Sequence, residues 1–234
     1  MAAVRPLRDV PRPLWWLLAL TLAAQLLWHG ARPGPGAAAR DLPPPPSVAA
    51  VRVAALGEEA VAARLLMLWL QAFDNQPGVS IPFRQLDYER VQDWLALVLE
   101  LDPRARYPLL AAARLYAEVP DEGRQRAMLE FIHRAFLEDP NGRWRWLAHA
   151  TILAKHRLGD LPLALRYAQA LTDHATGPQV PFWARDMSIA VLEDMGELEA
   201  ARALVGGLLA SGTIEDPREL HFLERKLEAL ESPE

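Results

Sequence analysis

The chain has 234 residues, 51% of them hydrophobic, a formal net charge of −5 and no cysteine. Disulfides, thiolate metal sites and a cysteine nucleophile are therefore excluded, and the length leaves room for a domain of about 150 to 180 residues plus extra segments. Charge is divided: residues 1–40 hold five arginines and one aspartate, while the other 194 hold 20 basic and 29 acidic residues, net −9. An acidic body lacks the basic footprint that phosphate backbones require, so nucleic acid is not expected as a partner.

Residues 1–13 form a basic tail with Arg5, Arg8 and Arg12. An uncharged apolar run follows from Leu14 to Trp28, with Trp15 and Trp16 at one end and Trp28 at the other. Two readings compete. As a transmembrane anchor over 14–30, the tryptophans sit at the two interfaces and the arginines reach outward. As a signal peptide, the run is the apolar core and Ala37-Ala38-Ala39 offers a small-residue cleavage site. Fifteen residues at about 1.5 Å each span roughly 22 Å, less than a ~30 Å hydrocarbon core. The alanines, however, lie far beyond Trp28 and behind Pro33 and Pro35, which favours the uncleaved anchor. Three arginines before the run against Arg32 and Arg40 after it give a modest bias toward a cytoplasmic N-terminus. With the Ala/Arg/Pro-rich composition of a bacterial chain, the expected location is the inner membrane, single-pass, with the C-terminal domain in the periplasm.

Residues 31–47 ("ARPGPGAAARDLPPPPS") read as a solvated linker, extended at Pro43–Pro46. The folded domain is expected over 48–234. A first helix is predicted at 58–73, then an irregular insertion at 74–82 ("DNQPGVSIP") that is either a binding loop or a passive connection. Further helices are predicted at 86–101, 107–118, 122–138, 143–157, 160–174, 181–195, 197–210 and 217–231. The last opens Asp216-Pro217-Arg218-Glu219, a capping arrangement with proline in the first turn. Its many charges suit a helix that closes the domain with a wet outer face.

Two ladders of helix-breaking residues keep one step along this region. Gly123, Gly159 and Gly196 lie 36 and 37 apart; Pro103, Pro140, Pro178 and Pro217 lie 37, 38 and 39 apart. Glycine supplies the left-handed bend that lets a helix fold back, and proline stops one helix while suiting the start of the next. The segments Leu158-Gly159-Asp160-Leu161…Ala164 and Met195-Gly196-Glu197-Leu198…Ala201 repeat this turn with a small alanine five residues after the glycine. Each unit thus reads as helix, glycine turn, helix, stop.

This pattern resembles the tetratricopeptide repeat (TPR) over roughly residues 58 to 217, in a degenerate form: the units exceed that family's 34 residues, and Val91 and Met128 stand where the first two units would carry alanine. The resemblance implies an all-α fold, an α-solenoid of about four antiparallel helix pairs plus a C-terminal capping helix, preceded by the one transmembrane helix. It also implies a concave groove lined by Trp146, His149, Leu153 and His156 in the third unit and by Trp183, Asp186, Ala190 and Glu193 in the fourth. Tryptophan makes an apt peptide anchor, with large apolar area and one N–H donor; alternatively, Trp146 and Trp183 pack between repeats. Arg143, Arg145, Lys155 and Arg157 either pair with an acidic ligand or form solvated helix ends. The family's clamp for a terminal carboxylate is not matched, because histidines stand where lysine, arginine and asparagine would be.

Catalytic signals are thin: HExxH, GxSxG, phosphate-loop and dinucleotide patterns are all missing. His149 and His156 share a helix face two turns apart, about 10 Å along the axis. A metal would need Asp186 or Glu193 between them; otherwise the pair lines a polar stripe. The expectation is a membrane-anchored adaptor of an envelope complex that binds other proteins and needs no cofactor or metal. The alternatives are a soluble periplasmic chaperone after signal cleavage and a metal-dependent enzyme using His149 and His156.

Overall fold

The computed structural model describes residues 11–31, 39–76, 78–212, 214 and 216–232. The basic tail up to residue 10 and the linker residues 32–38, with Ala37 and Ala38 of the alanine triplet, lie outside the described residues. The described chain is helical except for one two-stranded hairpin. It divides into two units: Met1–Arg40 with Asn75–Ser80, and Asp41–Asp74 with Ile81–Glu234.

In the first unit, α1 runs Arg12–Ala31 and buries none of its residues. The helix exceeds the predicted span: its 20 residues give about 30 Å, so it is long and apolar enough to cross a membrane. In the middle of it the Thr21 hydroxyl donates back to the carbonyls of Leu17 and Leu18, at 3.0 and 2.9 Å, and so needs no outside partner. The insertion forms an antiparallel hairpin, β1 (Asn75–Gln76) and β2 (Val79–Ser80), turning through Gly78 at φ +77°. The Gln76 side-chain amide pairs in both directions with the Arg40 backbone, each bond 2.9 Å.

The second unit starts earlier than the composition suggests. Leu42 is only 1% exposed, the Trp94 indole donates to the Pro43 carbonyl at 2.8 Å, and Arg90 donates to the Leu42 carbonyl. The end of the stretch read as linker is therefore docked, because one leucine and two proline-rich carbonyls find buried partners there. A helix not anticipated, α2 (Val48–Ala55), follows, capped by Ser47 and ended by Leu56 and Gly57 in left-handed conformations. Then come α3 (Glu59–Ala72) and α4 (Tyr88–Leu101), joined by a tilted Trp69–Trp94 ring contact at 4.7 Å.

The remaining helices are α5 (Tyr107–Arg114, continued by a 3-10 turn at Tyr116–Glu118), α6 (Glu122–Glu138), α7 (Pro140–His156), α8 (Leu161–His174), α9 (Phe182–Arg185), α10 (Met187–Asp194), α11 (Leu198–Ser211) and α12 (Pro217–Glu231). From α3 to α12 each helix packs on its chain neighbours, and α4–α6, α5–α7 and α7–α9 also touch. Val91, Met128, Ala164 and Ala201, at steps of 36 to 37, are all fully buried. Each sits on the inner face of α4, α6, α8 or α11.

Two predicted features are corrected. Gly159 and Gly196 do form left-handed bends, at φ +63° and +77°, but Gly123 lies inside the first turn of α6. The reason is length: α4, α8 and α11 have 14 residues each and α6 has 17, so one extra N-terminal turn absorbs the glycine. What recurs instead is an aspartate cap: Asp87, Asp121 and Asp160 accept backbone N–H bonds at the starts of α4, α6 and α8. Of the prolines, Pro140 and Pro217 open helices behind Asp139 and Asp216, whereas Pro103 and Pro178 lie in turns.

Two predicted helices are also broken by tertiary hydrogen bonds. The Tyr116 carbonyl is taken by the Tyr88 hydroxyl at 2.9 Å, and the chain tightens to 3-10 geometry there. The Arg185 carbonyl is taken by the Thr172 hydroxyl of α8 at 2.5 Å, which separates α9 from α10 at Asp186.

Candidate partner-binding surface

Helix α7 supplies most of this surface because both its ends are fixed. Asp139 caps its start, with Pro140 in the first turn. Arg143, expected at a solvated end, is buried: its guanidinium donates to the carbonyls of Ala135 (2.7 Å) and Pro103 (3.2 Å) and to Glu138 (2.8 Å). It thereby ties the start of α7 to the ends of α6 and α4. At the other end Arg157 is bonded to the carboxylate and backbone carbonyl of Glu118, and Lys155 pairs with Asp194.

Between these anchors α7 presents Trp144, Arg145, Trp146, His149 and Ile152 to an open cavity of about 340 Å³, which Arg114 of α5 and Trp183 of α9 complete. Three of the predicted groove residues, Trp146, His149 and Trp183, thus meet in one place. Trp183 packs edge-on against Trp144, ring centroids 5.5 Å apart, yet remains 49% exposed. Trp183 is thus in part inter-helix packing and in part open surface. The Arg145 guanidinium lies 5.2 Å from the centre of the Trp144 ring, a cation–π arrangement that holds the charge at the rim. A second hollow of about 400 Å³ shares Arg114 and continues over Phe83, Arg84 and Leu115.

The other predicted residues go elsewhere. Leu153 is half-buried and His156 exposed, both outside the cavity lining. Asp186 is buried between α9 and α10 with its Oδ2 unpartnered. Burial, reinforced by Glu219 and opposed by Arg185, pushes its carboxyl up to about 6. Glu193 is held by Lys226 of α12, with both oxygens within 2.8 Å of Nζ. The expected pairing of histidines with carboxylates is thus replaced: Glu193 turns toward α12, drawn by a basic partner that sequence spacing does not reveal, and Asp186 is buried.

His149 meets no carboxylate ligand set. Burial, helped by Arg114, lowers its pKa, opposed by Glu118 and the Ala113 backbone, and its buried Nε2 has no hydrogen-bond partner. Among the described residues no group of three or more His, Asp or Glu is placed to hold a metal ion. The sequence reading missed Trp144 and Arg114. Trp144 lies two residues before the first groove position counted along α7, Trp146, and Arg114 joins only through the packing of α5 on α7.

A larger hollow, about 860 Å³, lies along α4 and α6 and is rich in carboxylates (Glu89, Asp93, Glu100, Glu138, Asp139), with Arg143 in its wall. No family model matches the chain, and neither a curated protein nor a solved structure matches it.

Proposed function

We propose that the protein is a membrane-tethered adaptor that binds another protein through the face formed by α5, α7 and α9. The observation that carries this reading is the open cavity in which Trp146, His149 and a half-exposed Trp183 converge. Large aromatic rings at a concave surface are the usual anchors of protein recognition. The scattered histidines and separately engaged carboxylates favour binding over catalysis.

The domain is read as a degenerate TPR-like solenoid of stacked helix pairs. Its support is the chain-order packing of α3 to α12 and the buried recurrence of Val91, Met128, Ala164 and Ala201. The tether is α1. An isolated helix carrying Leu17, Leu20, Leu26 and Leu27 more than half exposed is at home in lipid, not in water. In the bacterial reading the N-terminus is cytoplasmic, α1 crosses the inner membrane, and the domain stands in the periplasm.

Extraction tests the tether. Native membranes washed with alkaline carbonate are expected to retain the protein, detergent to release it, and its N-terminal sequence to begin before Arg12. Recovery in the soluble fraction, beginning at Arg40, replaces the adaptor by a free periplasmic chaperone with the same binding face.

A further inference from the structure

Resting on the reading of this face as a protein-binding surface, we infer that its occupant is an acidic segment: an extended peptide that places an apolar side chain in the cavity and one or more internal carboxylates beside Arg114 and Arg145. The domain as a whole is acidic, net −9 beyond residue 40, so a randomly chosen patch would be expected to carry carboxylates. This cavity is lined by two arginines and no acid.

Three acids of the surrounding elements are already engaged: Glu118 is neutralised by Arg157, Asp194 by Lys155 and Glu193 by Lys226. Asp186 is buried and is not part of the cavity lining. Neither Arg114 nor Arg145 makes an ion pair among the described residues, whereas eleven other basic side chains of the domain do, His133 set aside. Arg145 is moreover held by its stacking on Trp144, so less of its freedom is lost when a carboxylate arrives. Two unpaired guanidinium groups, one of them held by stacking, line an aromatic hollow and complement a segment that alternates carboxylate and apolar side chains. The adjoining hollow is lined by Arg84 and Arg114 together with Glu118, whose charge Arg157 takes.

The test uses the full chain in detergent and three sets of short, end-capped peptides sharing Leu and Phe positions but carrying Glu, Ser or Lys elsewhere. Capping the ends removes any terminal carboxylate from the comparison. The Glu set is expected to bind, to weaken with added salt, and to lose about tenfold or more in affinity in R114Q/R145Q, two exposed substitutions. The Lys set is expected not to bind. Equal or tighter binding of the Ser or Lys set, or an unchanged affinity in R114Q/R145Q, overturns the inference. If Ser peptides bind and Trp183→Ala abolishes that binding, the face remains a protein-binding surface and only its charge preference falls. If no set binds the wild-type chain, both fall together.

Discussion

Replacing Asp186 by Asn stabilises the domain by about 2 kcal/mol at neutral pH and leaves it unchanged below about pH 4. The carboxyl of Asp186 is buried with one oxygen unpartnered, and burial plus the neighbouring Glu219 raises its pKa from 3.8 to about 6. The folded state therefore holds its proton where the unfolded state has lost it. Stability falls as pH rises from about 4 to about 6, and the full penalty is present above that window. Asn keeps the shape and removes the charge. Urea unfolding of the full chain in detergent, followed from pH 4 to 8, reads the effect as a gap between wild type and variant that opens with pH. A variant less stable than wild type at pH 7 would mean that Arg185, which bonds Glu219 at 3.0 Å, also holds Asp186 charged.

Arg143→Ala costs about 3 kcal/mol, and Arg143→Lys restores little of it. The exposed Glu138 partner contributes little to that figure, since its side chain is 69% open to solvent. The loss comes from the carbonyls of Ala135 and Pro103. These end-of-helix acceptors receive charge-assisted bonds and complement the dipoles of α6 and α4. One planar guanidinium reaches both helix ends at once; a lysine ammonium on a single stem does not. A loss under about 1 kcal/mol in either variant would show that water replaces the clamp without cost.

Much of the helix pattern could be read from the residues because it follows local rules. Helices α6 and α12 fall on their predicted boundaries, since aspartate caps and amphipathic spacing mark both ends. The errors have non-local causes. Gly123 kept the ladder's spacing but not its geometry, because the extra turn of α6 shifted the cap to Asp121. Leu42 looked like linker until Arg90 and Trp94 supplied partners some fifty residues away. The breaks after Arg114 and Arg185 depend on hydroxyls from Tyr88 and Thr172.

At the surface, Trp146, His149 and Trp183 were legible because they hold groove positions counted back from the turn glycines Gly159 and Gly196. Arg114 and Trp144 were not, because their roles arise only from packing. The destination of Glu193 depends on Lys226 of α12, a contact that spacing along the chain does not reveal.

The most direct measurement places a photo-reactive phenylalanine at Trp183 and, as a control, at exposed Glu224 on α12, in chains expressed in native membranes. The account predicts a discrete crosslinked protein from position 183 that disappears in R114Q/R145Q and never forms from position 224. No adduct at 183, or the same species from both positions, would contradict it.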